Sequence, residues 1–280
     1  IPFTNSGGTD FDYSSNFTFD GSRLTLSNDS ELVINDQLFY ASTTAGEVIL
    51  GRQASLGTAI PNDTIAIGAS ALENGGAGDN IGIGTFAGRN LSTGLQNVVV
   101  GMSTGFNMTT ASYNAVYGYA AGYNLGGSNN NALLGFYAGN QLRAGDGNSF
   151  VGTNAGENLA TSTESVLVGG YAGRGSANFE ANRLTVLGAR AGETLSTGAD
   201  ENILLGYRAG DEITTGSRNL IIGYDIDAPD NNGSNQLNIG NLIFGTDIDG
   251  LDSTISSGNV GIGTTSPFAT LSVSGDLALT

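Results

Sequence analysis

The sequence predicts an all-β protein, a parallel β-solenoid (β-roll) of roughly 17-residue coils. Three observations lead there. A glycine closing a short apolar run recurs at Gly51, Gly68, Gly84, Gly101, Gly118, Gly135, Gly152, Gly169, Gly188, Gly206, Gly223 and Gly240. Its intervals are 16 to 19 residues. So short a period means units that pack only on their neighbours, and it leaves no room for a helix pair. The apolar runs, such as Val98–Val100 and Leu220–Ile222, are short, β-branched and bounded by Asn and Gly, which is a strand signal. No segment sustains a 3.6-residue apolar period.

Each part of the unit has a physical reading. The glycine supplies the positive φ that a sharp corner needs. Asparagine stands four residues before it at Asn80, Asn97, Asn114, Asn131, Asn148, Asn202 and Asn219. Stacked coils place like on like at about 4.8 Å, so these amides are expected to form a ladder up the stack. Ala-Gly follows the anchor, as in Ala87-Gly88 and Ala121-Gly122, and a larger apolar residue such as Leu91, Met108 or Leu125 comes three residues later. Together these fill one side of a small core. A strand with one wet face alternates apolar and polar residues. Here all three residues before the anchor are often apolar, as in Ala132–Leu134 and Ile203–Leu205. One face is expected inside the coil and the other against a partner. The simplest partner is another copy of the chain, in an intertwined or side-by-side homotrimer. A lone solenoid whose outer face is covered by a flanking segment is the plainer alternative.

The repeat divides the chain into three parts. Residues 1–50 read as an N-terminal β cap, with a hairpin expected around Asp20-Gly21 between Phe17 and Leu26. Residues 51–245 are the repeat. Residues 246–280 read as a last coil and an extended strand, Ala269 to Thr280. The chain begins at Ile1 rather than Met, from which an upstream leader or region is expected.

Composition narrows function. The net charge is −17 with 12% charged residues, and all nine basic residues are Arg. With no basic patch, nucleic acid and anionic membranes are not expected partners. No apolar stretch approaches the 18 or so residues of a membrane span, so no insertion is expected. Cys, His and Lys are absent, which removes disulfides and thiolate metal sites. It also removes the side chains most used in acid–base and nucleophilic chemistry, so no enzyme is expected. Gly82-Ile83-Gly84 belongs to the repeat and no helix signal follows it, so no phosphate loop or organic cofactor is expected.

Two candidate sites remain. Asp247, Asp249 and Asp252, with Gly250 for the turn, offer oxygen ligands at i, i+2 and i+5 for a structural calcium ion. The plainer reading is solvated loop carboxylates. Aromatic residues follow many anchors, and Tyr171 and Tyr207 are the candidate platforms for a host-surface glycan. The plainer reading places such rings in corners or at a subunit interface. Sequons stand at Asn16, Asn28, Asn62, Asn90, Asn107 and Asn232.

One segment carries a family resemblance. Asn259-Val-Gly-Ile-Gly-Thr-Thr-Ser-Pro267, followed by Leu271-Ser-Val-Ser-Gly275, is similar to the linker that precedes the C-terminal intramolecular chaperone of phage tail fibres and related bacterial surface proteins. The repeat resembles the glycine-rich β-rolls of such fibres and of trimeric autotransporter adhesin heads, whose coils are usually a few residues shorter. The resemblance implies a trimeric fibre or stalk, extracellular, on a cell surface or a virion, followed by a self-cleaving chaperone. The expected function is therefore a non-enzymatic structural fibre for attachment or spacing. Two alternatives are a pilus-like filament subunit joined by strand addition and a glycan-binding adhesin.

Overall fold

The computed structural model describes residues 48–54, 63–75 and 78–276 in full, and the backbone of four short strands before them. These four are β1 (Phe17–Phe19), β2 (Leu24–Leu26), β3 (Leu32–Ile34) and β4 (Gln37–Ala41). Then follow β5 (Val48–Gly51), β6 (Ile65–Ile67), β7 (Ile81–Ile83), β8 (Val98–Val100), β9 (Ala115–Tyr117), β10 (Ala132–Leu134), β11 (Ser149–Val151), β12 (Leu159–Thr161), β13 (Val166–Val168) and β14 (Phe179–Glu180). The last are β15 (Thr185–Leu187), β16 (Ile203–Leu205), β17 (Leu220–Ile222), β18 (Leu237–Ile239), β19 (Ile243–Gly245), β20 (Val260–Ile262) and β21 (Leu271–Val273). Among the described residues there is no helix.

The protein is a parallel β-solenoid of about 11 turns. From β5 to β18 successive coils pair parallel in strict register, as in Val98↔Ala115, Val99↔Val116 and Val100↔Tyr117. Strands β12 and β14 form a small separate parallel pair. The remainder of each coil is laddered too. Gly101 N–H donates back to Ile83 O (2.8 Å), while Gly105 N–H donates forward to Ala121 O (2.9 Å) and Asn107 N–H to Tyr123 O (2.8 Å). Backbone groups in a narrow coil are thus paired around its circumference rather than on one side only, which keeps the burial of so much polar backbone affordable.

The core is one side chain deep. The strand centre points inward and is buried, as at Ile49, Val99, Val116, Leu133, Phe150, Leu167 and Ile221. The Ala of Ala-Gly and the following Leu or Met meet it from the other side, as Ala121 and Leu125 do. Where the strand centre is Gly82, Leu72 fills the gap. A Cβ on Gly82 would lie 2.6 Å from Leu72 Cγ.

Inside the corner runs the expected amide ladder. Asn80, Asn97, Asn114, Asn131 and Asn148 are all buried. Asn114 is representative. Its backbone N–H (3.1 Å) and its Nδ2 (3.0 Å) both donate to Asn97 Oδ1. The same Nδ2 reaches the carbonyls of Ser112 (3.0 Å) and Ser128 (2.9 Å). Asn131 then donates to Asn114 Oδ1 through N–H (2.9 Å) and Nδ2 (3.1 Å). The ladder passes to Ser165, whose Oγ accepts from Leu184 N–H (3.0 Å). It stops at buried Leu184 and resumes from Asn202 to Asn219. The interruption falls where the anchor interval widens to 19 residues, between Gly169 and Gly188.

The anchor glycines have a second reason beyond the positive φ. From Gly51 to Gly223 their φ lies between +127° and +157°. At Gly169 (φ +134°) an added Cβ would also meet the Gly188 carbonyl oxygen at 2.6 Å. Successive corners touch backbone to backbone.

The two ends depart from the repeat. At the first, β1 and β2 pair antiparallel, Phe17 opposite Leu26, as the sequence suggested. Strands β3 and β4 pair antiparallel, and β4 adds antiparallel to β5. The Asp20-Gly21 turn and the sequons at Asn16, Asn28 and Asn62 lie outside the described residues. At the other end the ladder reverses, because β19 is antiparallel to both β18 and β20. Gly240 is therefore not a twelfth corner like the others. Its φ is +61°, and Leu242 N–H closes a turn onto Ile239 O (3.1 Å). Strand β21 pairs parallel with β20 of its own chain.

Three substitutions test this packing. Gly169→Ala is expected to lower the unfolding free energy by about 3 kcal/mol or more. Its neighbour Gly170, with no positive φ and nothing nearer to an added Cβ than 4.0 Å, is expected to tolerate Ala within about 0.5 kcal/mol. Asn114→Ala strands buried donors and acceptors in two adjacent coils and is expected to cost about 2–4 kcal/mol. Urea denaturation measures all three.

Candidate functional site

The feature that the coil leaves unused is the outer face of its sheet. In each strand from β5 to β11, in β13 and from β15 to β18, the central residue is buried while the first and third are half-buried or exposed. Those outward residues are mostly apolar: Ile65 and Ile67, Ile81 and Ile83, Val98 and Val100, Val166 and Val168, Ile203 and Leu205, Leu220 and Ile222. No strand of this ladder contains a charged residue. Strands β20 and β21 carry the same face onward with Val260, Ile262 and Leu271. Fifteen strands at about 4.8 Å spacing and about 3.3 Å per residue make an apolar strip roughly 70 Å by 10 Å, on the order of 700 Å². A typical monomer exposes patches of about 300–600 Å², and a standard interface takes about 800 Å² from each partner.

A row beside the strip extends it. The residue after the anchor is Met102, Tyr119, Phe136, Tyr207 or Tyr224 in five coils, with exposures of 49, 39, 47, 43 and 75%. Tyr119 stacks on Phe136 at 5.2 Å, and Tyr207 on Tyr224 at 5.3 Å. Rows of like residues stack because the coils are in register.

The charges flank the strip without entering its strands, and several couple neighbouring coils. Arg183 and Arg218 hold Glu201 from both sides at 2.6 and 2.8 Å. Their hydrogen bonds, Arg183 first, keep the Glu201 carboxyl below its ordinary range. Arg89 does the same to Glu73 across one coil. Arg208 joins Asp211 (2.7 Å) to Asp225 (2.9 Å). Asp227 is different. Burial pushes its carboxyl up, against the pull of the Glu212 N–H that it accepts at 2.9 Å.

The candidate residues from the sequence fall as follows. Asp247, Asp249 and Asp252 do not form part of any group of three carboxylates placed to hold a metal ion among the described residues. Asp249 instead accepts from Ser257, through the backbone N–H (2.9 Å) and the hydroxyl (3.0 Å). The backbone bond, and then the hydroxyl, lower its carboxyl. Tyr171 and Tyr207 do not share a row, since Tyr171 is two residues past its anchor and Tyr207 one. The guanidiniums of Arg174 and Arg190 lie over the Tyr171 ring at 5.5 and 5.3 Å. Tyr207 stands in the exposed row beside the strip.

Two sequons are built into a second, outer amide ladder. Asn90 Nδ2 donates to Asn107 Oδ1 (3.0 Å), and Asn107 Nδ2 to Asn124 Oδ1 (2.9 Å). A shallow depression of about 320 Å³ is lined by Gly127, Ser128, Asn129 and residues 143–146, with Arg143 and Asp146 its ionisable groups. Asp146 there accepts from Asn129 N–H at 2.6 Å. No helix among the described residues is long and apolar enough to cross a membrane. Comparison with protein-family models, with characterised proteins and with solved structures finds no match.

The sequence did not reveal that each coil also bends through non-glycine residues in the left-handed region. Phe86, Ser103, Ala120, Tyr137, Asn154 and Tyr171 occupy one such position, and Gln96, Tyr113, Asn130 and Glu164 another. The one legible signal is that none of these is β-branched, the class that region excludes most strongly.

The Glu201 pair gives a pH prediction. A carboxyl held low by partners stabilises the fold above the ordinary carboxylate range, and loses that effect as pH falls from there through the carboxyl's lowered value. Glu201→Gln is therefore expected to cost at most about 1 kcal/mol at pH 7, since the pairs are partly exposed, and less at pH 3. Urea titrations at the two pH values check this.

Proposed function

We propose that this chain is a non-enzymatic structural stalk, assembled as a homotrimer through the outer face of its sheet. The observation that carries the reading is the uncharged apolar strip along the whole ladder of a chain whose net charge is −17. Identical copies repel in general, but not across a surface from which every charge has been removed. The strip is of the size that stable association needs. It is only three residues wide, with the Met102–Tyr119–Phe136 row along one margin. Such a face meets one neighbour across the strip and a second at the margin, and a closed ring of three satisfies both contacts.

The mechanism is mechanical. Stacked coils make a stiff rod from short sequence units, and neighbouring rods cover one another's exposed sheets. Attachment or spacing outside the cell, or on a virion, suits the cysteine-free composition and the tail-fibre resemblance of residues 259–275. A second reading, an end-to-end filament, has in its favour the position of β21 as the last strand of the ladder.

Analytical ultracentrifugation is the test. A discrete trimer is expected, converting to monomer in Val168→Asp. Val168 is 39% exposed in the single chain, so the variant keeps its β-sheet circular dichroism. A concentration-independent wild-type monomer would remove the reading, and an open-ended size distribution would favour the filament.

A further inference from the structure

The most exposed apolar side chains are not spread along the rod. Phe268 (93%) and Ile255 (92%) are the barest among the described residues, and with Leu251 (66%) and Leu271 (55%) they stand in the arm formed by residues 246–276; outside it only Tyr224 (75%) and Leu242 (57%) are as exposed as Leu271. The same arm holds no charged residue between Asp252 and Asp276. It is also prefolded. Asp249 holds Ser257, Ser256 Oγ accepts from Gly250 N–H (3.0 Å), and Ser272 Oγ accepts from Phe268 N–H (3.0 Å) and Ala269 N–H (3.2 Å). Bare apolar side chains on an ordered loop lose little freedom when they are covered.

We propose that this arm is a clasp that binds the same arm of other copies, fixing the copies parallel and joined at this end. The occupant is a second copy for two reasons. Strands β20 and β21 carry the strip on past β19, through Val260, Ile262 and Leu271, so copies that meet along the strip in parallel bring their arms together. The stretch from Ser253 to Gly275, which holds Ile255, Phe268 and Leu271, carries no charge, so identical chains of net charge −17 can approach there. A lipid surface is the weaker occupant, because the arm has no Lys or Arg to engage headgroups. The inference rests on the assembly proposed above and adds its polarity and its strongest contact.

The chain has no cysteine, so a single introduced one reports only its own neighbours. Full-length Ile255→Cys and Phe268→Cys are treated with a short bis-maleimide, with the turn-side Ser92→Cys as control. Parallel assembly predicts covalent pairs at 255 and 268 and none at 92. Antiparallel copies hold their arms at opposite ends and give none at any of the three. In sedimentation, Phe268→Ser is expected to raise the concentration of half-assembly roughly tenfold or more. Both residues are bare in the single chain, so neither substitution removes a core contact.

A wild-type oligomer with no cross-link at 255 or 268, and with unchanged assembly of Phe268→Ser, overturns the clasp while leaving the assembly intact. A wild-type monomer overturns both. Flotation of wild type with phosphatidylcholine vesicles, lost in Phe268→Ser, would replace the second copy with a membrane and overturn the proposal.

Discussion

Register is the constraint on which everything else depends. A coil this narrow has almost no core of its own, so its stability comes from sitting squarely on the next coil. Two contacts enforce that position. The anchor glycines let successive corners touch backbone to backbone, and Asn97, Asn114, Asn131 and Asn148 each donate both the N–H and the side-chain amide to the asparagine below. A slip of one residue would put the strand centres on the outside and leave the amides unpaired in the core. The fold therefore tolerates wide variation at outward positions and little at the corner.

Strict register also creates the apolar outer face. Because like positions stack, an apolar residue at the first or third strand position becomes a row, and rows become a strip. The same rule lines up the aromatic margin and segregates the charges. Arg183, Glu201 and Arg218, each two residues before its strand, form a ladder of alternating sign outside the strip, so coil-to-coil attraction and an uncharged strip arise from one periodicity. The interruption at Leu184 shows the limit of the tolerance: an aliphatic side chain replaces the amide where a longer coil has already disturbed the corner.

Much of this was legible in the residues. The period gave the solenoid, the asparagines gave the ladder, and runs such as Val98–Val100 gave the outward apolar face, because three consecutive valines cannot all point into one core. Other features were not. The reversal after Ile239 is hidden because Gly240 has the spacing of a corner, while the turn depends on Leu242 folding back onto Ile239. The engagement of Asp249 by Ser257 joins residues eight apart in a loop, where spacing says nothing of partners. The environment of Tyr171 depends on Arg190 in the next coil, a contact made only by stacking.

Residue-resolved hydrogen exchange tests the in-register stack most directly. The N–H groups of Asn97, Asn114, Asn131 and Asn148 donate to the side-chain oxygen of the preceding asparagine. The account predicts that these four exchange as slowly as the strand-centre amides of Val99, Val116, Leu133 and Phe150, in a protection pattern that repeats every 17 residues. Exchange at the four asparagines as fast as in the exposed loop around Ser253 and Ile255, or protection without that period, would contradict it.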